Sequence, residues 1–99
     1  MGSDHPAVPK VYQNQAESRF EIALEGKTSV LVYKLSEHEL ALLHTNVPEP
    51  LRGNGLGTLL AAFAMEYARL RGLKVVVQCP FVEGFLEHHP EYAGLIRKE

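Results

Sequence analysis

The chain has no tryptophan, one cysteine and a formal net charge of only −2 over its 99 residues. The single cysteine, Cys79, excludes an internal disulfide. A charge so close to neutral gives little attraction for nucleic acid or for an acidic membrane surface. No apolar run approaches the ~20 residues that cross a bilayer, and the first residues lack the pattern of a secretory leader. We therefore expect a cytoplasmic protein with no nucleic-acid or membrane partner.

The composition that remains is typical of a globular domain. Hydrophobic residues make up 45% of the chain and charged residues 22%, which is enough for one small buried core. The opening stretch contains Gly2, Ser3, Pro6 and Pro9, and it predicts a flexible N-terminal arm over residues 1–10. We expect a single domain over residues 11–99.

Three segments in the first half have the patterns of β-strands. In the first, Phe20, Ile22 and Leu24 alternate with neighbours that favour solvent, which is the period of a strand with one wet face. The other two are β-branched or strongly apolar runs, and sequential strands joined by short turns predict an antiparallel meander. The predicted strands, separated by turns at 25–27 and 36–39, cover residues 19–24, 30–35 and 40–47.

A long helix is predicted next, over residues 55–71. Gly72 stands where a helix of this kind ends, and basic residues precede it, as the helix dipole favours. Apolar residues recur at spacings of three and four, so one face of the helix is expected to be buried. The predicted buried stripe consists of Leu56, Leu59, Leu60, Phe63, Tyr67 and Leu70, with Ala64 and Ala68 filling the same stripe.

The end of the chain predicts one more strand and two short helices. The run from Leu73 to Cys79 is rich in β-branched residues and is ended by Pro80. Two short helical patterns follow, the second starting at Pro90. A strand, a helix and a strand in this order predict a right-handed crossover, with the fourth strand parallel to the third. The fold class is therefore α+β.

Three glycines crowd the point where the long helix begins. Gly53, Gly55 and Gly57 would let the main chain turn tightly and let an anion approach the free amides of the helix start, beside the cation of Arg52. The residues alone leave a second interpretation open, a tight turn without a ligand. A dinucleotide-binding loop would follow the first strand, and a P-loop would have a lysine before Thr58, so neither pattern fits.

The spacing Arg52-x-x-Gly55-x-Gly57 resembles the pyrophosphate-binding motif of the GNAT superfamily of acetyl-coenzyme A-dependent acyltransferases. The similarity is closer to a family of minimal, single-domain GNAT-like proteins, whose four motifs occur here in order within about residues 19–96. The motifs are His-Thr-x-Val-Pro at 44–48, Arg-Gly-x-Gly at 52–55, Cys-Pro-Phe-Val at 79–82 and His-Pro-Glu-Tyr at 89–92.

This resemblance implies a GNAT-like fold and a binding site for acetyl-coenzyme A. The pyrophosphate would lie on the loop before the long helix. The pantetheine arm would lie between the third strand and a fourth strand that splays away from it. The residues expected to bind the cofactor are Thr45, Asn46, Val47, Arg52, Gly53, Asn54, Gly55, Leu56, Gly57, Thr58 and Cys79.

Three side chains are candidates for the chemistry that the resemblance implies. His44 has a suitable intrinsic pKa for a general base, although a core histidine is an equal alternative. Cys79 would line the channel or accept the acyl group. Many members of the superfamily have a tyrosine seven residues after the last central strand, but that position is Leu86 here. Tyr92 is the remaining candidate acid, with a packing role as its alternative.

Two functions follow from the resemblance. The first is direct transfer of an acetyl group from acetyl-coenzyme A to an amine, either a small molecule or a protein lysine. The second is a coenzyme A-binding module with little or no catalysis, which the missing tyrosine favours. We expect acetyl-coenzyme A as the ligand, no metal, and a monomer or weak dimer. The amine acceptor is not identified by the sequence, and macromolecular acceptors are included among the candidates.

Overall fold

The computed structural model describes residues 9–97 and confirms the α+β class. The strands and helices are β1 (Tyr12–Asn14), β2 (Arg19–Leu24), β3 (Lys27–Leu35), β4 (Glu39–Asn46), α1 (Leu56–Arg71), β5 (Lys74–Val77) and α2 (Pro80–Glu87). The five strands form one sheet in the order β1-β2-β3-β4-β5, and α1 connects β4 to β5. Two 3₁₀ helices, at Glu49–Leu51 and Pro90–Leu95, complete the described chain.

The antiparallel part of the sheet has one strand more than the sequence predicts. β1 pairs with β2, so the parallel strand is the fifth and not the fourth. A polar strand of three residues is too short to show an alternating pattern in the sequence. It is held by contacts with distant residues, because the Gln13 amide donates to the hydroxyls of Tyr33 and Tyr67 at 2.9 and 3.1 Å. The predicted arm, residues 1–10, lies almost wholly outside the described residues.

The hairpin between β2 and β3 is tighter than predicted. Its loop is only Glu25 and Gly26, with φ of 54° and 76°, which is the positive pair that a two-residue hairpin requires. β3 therefore begins at Lys27, three residues before the predicted start, and Leu24 pairs with Lys27. This register places alternate residues of β2 and β3 on one buried face of the sheet.

We call the sheet face that packs against α1 the inner face. It carries Phe20, Leu31 and Leu42, all fully buried. The predicted stripe of α1 is wrong at two positions, because Phe63 is 36% and Leu70 is 71% exposed. The helix is rotated so that its small residues lie against the sheet, where they allow a close approach. The buried residues of α1 are Leu56, Gly57, Leu60, Ala61, Ala64, Met65, Tyr67 and Ala68.

The end of α1 and the crossover agree with the sequence prediction. Gly72 adopts φ of 67°, and its N–H group bonds the carbonyls of Ala68 and Arg69. β5 then runs parallel to β4, pairing Glu39 with Lys74 and Leu42 with Val77. The second predicted C-terminal helix is a 3₁₀ helix. Within residues 9–97, neither α-helix combines the length and apolar content needed to cross a membrane.

Candidate functional site

β4 and β5 part before β4 ends. Their pairing stops at Leu42 and Val77, and the last bond joins the Gln78 N–H group to the Leu42 carbonyl at 2.9 Å. β4 continues to Asn46, whereas the segment that follows β5 turns at Cys79 into α2. We call the resulting opening the β4–β5 gap. The splayed strand predicted from the resemblance is therefore present.

A β-bulge turns the end of β4 towards this gap. His44 opposes Val32 whereas Leu42 opposes Tyr33, so Leu43 is an extra residue. The Tyr33 N–H group bonds Ser18 on the β2 side. Main-chain groups alternate in direction along a strand, so Leu31, two residues before Tyr33, also directs its N–H and C=O groups towards β2. Thr45 lies opposite Leu31. The N–H and C=O groups of Thr45 are therefore directed away from β3, into the gap.

A cavity of about 470 Å³ joins the end of β4 to the start of α1. It is lined by every residue predicted to bind the cofactor except Asn54 and Cys79. Leu51 and Phe81 also line it, although the sequence reasoning did not select them. The lining residues are Thr45, Asn46, Val47, Leu51, Arg52, Gly53, Gly55, Leu56, Gly57, Thr58 and Phe81.

The start of α1 presents free amides to the cavity. Gly53 and Gly55 have φ of 87° and 77°, a left-handed conformation that favours glycine, and they bend the chain into the helix. The first helical bond runs from the Leu59 N–H group to the Gly55 carbonyl at 3.0 Å. The N–H groups of residues 56–58 thus precede any intrahelical acceptor, and the first turn has neither a side-chain cap nor an acidic residue. This arrangement favours a bound anion.

Arg52 and Asn54 hold the loop in shape. Arg52 donates from Nε to the Val47 carbonyl at 2.9 Å, which ties the loop to the end of β4. Arg52 also lines the cavity, as do the residues with free amides. The Asn54 amide donates to the Leu51 carbonyl at 2.9 Å. Asn54 was expected to bind the cofactor, but its side chain instead closes the turn.

Gly57 makes a close contact that the sequence did not reveal. A Cβ atom at position 57 would lie 2.7 Å from Cζ of Phe81, closer than real Cβ contacts come. The aromatic ring of α2 therefore packs directly on the backbone of α1. The sequence shows an aromatic residue directly after Cys79 and Pro80, but it does not indicate that the ring lies beside a glycine 24 positions earlier.

Neither His44 nor Cys79 lines the cavity. His44 opposes Val32 on the sheet face away from α1, which we call the outer face, and its side chain is exposed. It is therefore not a core histidine. Cys79 is 2% exposed and caps the start of α2. Its Sγ atom lies 3.1 Å from Oγ1 of Thr45, so the thiol is held behind the cavity wall.

Tyr92 also lies away from the cavity lining. Its hydroxyl donates to the Glu66 carboxylate at 2.8 Å, and its ring stacks with Phe85. Burial and the hydrogen bond to Glu66 raise the pKa of Tyr92. The hydrogen bonds from Arg69 and Tyr92 lower the pKa of Glu66. The hydroxyl is thus engaged in fixing the second 3₁₀ helix to α1.

This contact predicts an acid dependence of stability that involves Tyr92. A carboxyl group whose folded pKa lies below its ordinary value of 4.5 stabilises the fold above that pH and loses this contribution as the pH falls. Tyr92→Phe removes one of the donors that lower the pKa of Glu66. We expect the fall in unfolding free energy between pH 7 and pH 3.5, measured by urea denaturation, to be smaller in this variant than in the parent. Tyr12→Phe, on the exposed edge strand, is the control, and equal falls in Tyr92→Phe and the parent would contradict the expectation.

Comparisons with known proteins agree with this geometry. A family model described as GCN5-related N-acetyl-transferase matches residues 19–95. Protein NATD1 of Danio rerio is 31% identical over 88 residues, covering 84% of this chain and 80% of that protein. Protein NATD1 of Homo sapiens is 26% identical over 84 residues, covering 82% and 74%.

A solved structure supports the same assignment. The NMR solution structure of a GCN5-like protein from Staphylococcus aureus matches with a TM-score of 0.70 and 27% sequence identity. The match covers 91% of this chain and 89% of that one. With the family match over residues 19–95, it shows that the chain belongs to the GCN5-related N-acetyltransferases.

Proposed function

We propose that the chain binds acetyl-coenzyme A and transfers the acetyl group directly to an amine. The observation that supports this most is the single cavity that joins the uncapped start of α1 to the open end of β4. A ligand that fits both ends needs an anionic group and, attached to it, an extended arm able to pair with main chain. Coenzyme A has both, as a pyrophosphate and a pantetheine amide chain.

The pyrophosphate would be bound by main-chain amides and one cation. Arg52 and residues 56–58 all line the cavity, so both the guanidinium and the free N–H groups are available to an anion bound there. The arm would then extend to the β4–β5 gap, where the main chain of Thr45 offers one donor and one acceptor. In this arrangement the cofactor takes the place that β5 leaves beside β4.

The transfer itself needs no covalent enzyme intermediate. The amine nitrogen forms a bond to the thioester carbonyl carbon, the C–S bond breaks, and the thiolate of coenzyme A takes a proton. The amine must first lose a proton to a base. An N–H group near Thr45 would stabilise the oxyanion, and holding both reactants in place would supply much of the rate.

We propose His44 as the base that accepts the amine proton. It lies at the bulge, next to Thr45, but on the outer face. An amine that approaches the gap from the outer face would meet His44 first, while the cofactor occupies the cavity on the other side. Cys79 is buried and hydrogen-bonded, which favours a role in supporting Thr45 over a role as nucleophile.

A second function, a coenzyme A-binding module without transfer, is favoured by one specific observation. Among residues 9–97, those that line the cavity include no histidine, cysteine, tyrosine or carboxylate. Binding groups are thus concentrated in the cavity, whereas the candidate base is outside it. The two functions share the cofactor site and differ only in whether an amine reaches the gap.

Two measurements separate these functions. Acetyl-coenzyme A titrated into ¹⁵N-labelled protein should shift the amide signals of residues 56–58 and Thr45 in a saturable way. Labelled acetyl-coenzyme A with a panel of amines and lysine peptides should then give acetylated product. His44→Ala should lower kcat/KM by about a hundredfold or more, the usual contribution of a general base. His38→Ala, which removes an exposed histidine at the β3–β4 turn, should not.

The outcomes are distinct. Saturable binding with no product from any amine would support the module. Product that forms equally well in His44→Ala would show that another group takes the proton. Absence of saturable shifts at residues 56–58 would overturn both functions.

A further inference from the structure

Phe81 differs from the other apolar residues of α2. Val82 is fully buried and Phe85 is 6% exposed, so both pack into the core. Phe81 is 45% exposed, although it is a large aromatic residue at the start of the same helix. It lines the cavity, and among the described residues it is the one aromatic residue to do so. An exposed aromatic ring in a cavity wall is available for apolar contact with a ligand.

The ring lies beside the free amides of α1. A Cβ atom at Gly57 would meet three ring atoms of Phe81 at 2.7, 2.9 and 3.3 Å, so the ring rests on the backbone of the first helical turn. Gly57 is also one of the residues whose N–H groups precede any intrahelical acceptor. An anion bound by those amides would therefore have an apolar surface immediately next to it.

Coenzyme A presents a matching apolar group at that place. In its pantoyl unit, a quaternary carbon with two methyl groups follows the phosphate ester by a single methylene. This is the bulkiest apolar part of the arm, and it adjoins the pyrophosphate. Nucleoside diphosphates offer the same pyrophosphate without these methyl groups.

We propose that Phe81 binds the pantoyl dimethyl group and thereby makes the site select coenzyme A over nucleoside diphosphates. The inference rests on the proposed function, because it requires the pyrophosphate at the start of α1. Gly57 has a part in it, since the missing Cβ gives the ring its position. Phe81 is thus a specificity residue of the cofactor site, while the amides and Arg52 bind a feature common to many nucleotides.

The direct test observes the methyl groups of the ligand. Coenzyme A bound to the full chain should show its two pantoyl methyl signals shifted upfield by the ring current of Phe81, with nuclear Overhauser contacts to the ring protons. In Phe81→Leu, which keeps an apolar side chain, both features should disappear while the ligand still binds. Pantoyl signals that are the same in the parent and in this variant would overturn the proposal.

Affinities test the selectivity. Coenzyme A and adenosine 3′-phosphate 5′-diphosphate, which is coenzyme A without the arm, are each titrated into the parent and Phe81→Ala. Loss of the ring from two buried methyl groups should weaken coenzyme A about tenfold. The fragment should change by less than about twofold. Leu70→Ala, which removes an apolar side chain that is 71% exposed on α1, should change neither.

Other results have definite meanings. Equal weakening of both ligands in Phe81→Ala would show that the ring only holds α2 against α1, and would overturn the proposal. Unchanged affinity for both would overturn it as well. If the parent binds neither ligand, the proposed function fails, and this inference fails with it. If the alanine variant does not fold, the pantoyl signals measured with Phe81→Leu still decide the proposal.

Discussion

Thr58→Glu is expected to weaken coenzyme A binding about a hundredfold and at the same time to stabilise the fold. Thr58 is exposed in the first turn of α1 and lines the cavity. A carboxylate there would lie within about 5 Å of a bound pyrophosphate, and at an effective dielectric constant of ~20 this like-charge repulsion costs about 3 kcal/mol in total, which is about a hundredfold in affinity. The same carboxylate complements the helix dipole, which has no acidic residue in its first turn, and adds about 0.3–1 kcal/mol to stability.

The opposite signs make this variant informative. Calorimetric titration gives the affinity, and thermal unfolding without ligand gives the stability. Thr58→Gln has nearly the same size without the charge, so it should lose much less affinity and gain no stability. A glutamate variant that still binds coenzyme A within a few-fold of the parent would place the pyrophosphate elsewhere and would contradict the proposed function.

Phe20→Ala is expected to lower the unfolding free energy by about 3–5 kcal/mol. Phe20 is fully buried on β2. Its ring centroid lies 4.7 Å from that of Tyr33 and 5.3 Å from those of Phe63 and Tyr67, so one residue connects the sheet to α1. Domains of this size have about 5–15 kcal/mol of stability in total, and the variant would therefore be close to unfolding.

Urea denaturation followed by circular dichroism measures this effect. Leu70→Ala, an apolar truncation at a position that is 71% exposed, should change the unfolding free energy by less than about 0.5 kcal/mol. If Phe20→Ala cost as little as Leu70→Ala, the packing between β2 and α1 described above would be wrong.

The sequence predicts those parts of the fold that local chemistry decides. Gly72 ends α1 because the left-handed backbone conformation at that position favours glycine. The alternation in β2 reveals a strand because one face of the sheet is buried and the other is closer to solvent. β1 could not be predicted, since its polar residues are held by Gln13 reaching two distant tyrosines. The exposure of Phe63 was equally hidden, because the rotation of a helix on a sheet depends on which side packs more closely.

The candidate site divides in the same way. The loop from Arg52 to Thr58 could be predicted, because glycine spacing and a helix start are local features. The bulge at Leu43 was not visible in the sequence, and it alone decides that Thr45 faces the cavity and His44 faces away. The contact between Gly57 and Phe81 joins two segments that only the folded chain brings together. Pairs of this kind require the tertiary structure.

The bulge in β4 also determines which positions of the strand tolerate substitution, because it changes which side chains face the core. Before Leu43, the even positions 40 and 42 are fully buried, and substitutions there should be felt as lost stability. After it, the odd position 45 faces inward, and the even positions 44 and 46 are exposed. A scan of every substitution in β4 would thus show loss of stability at even positions before Leu43. After Leu43, the sensitive positions would be odd. The residue at which the pattern shifts would mark, from mutational data alone, where β4 stops contributing to the core and begins to line the cavity.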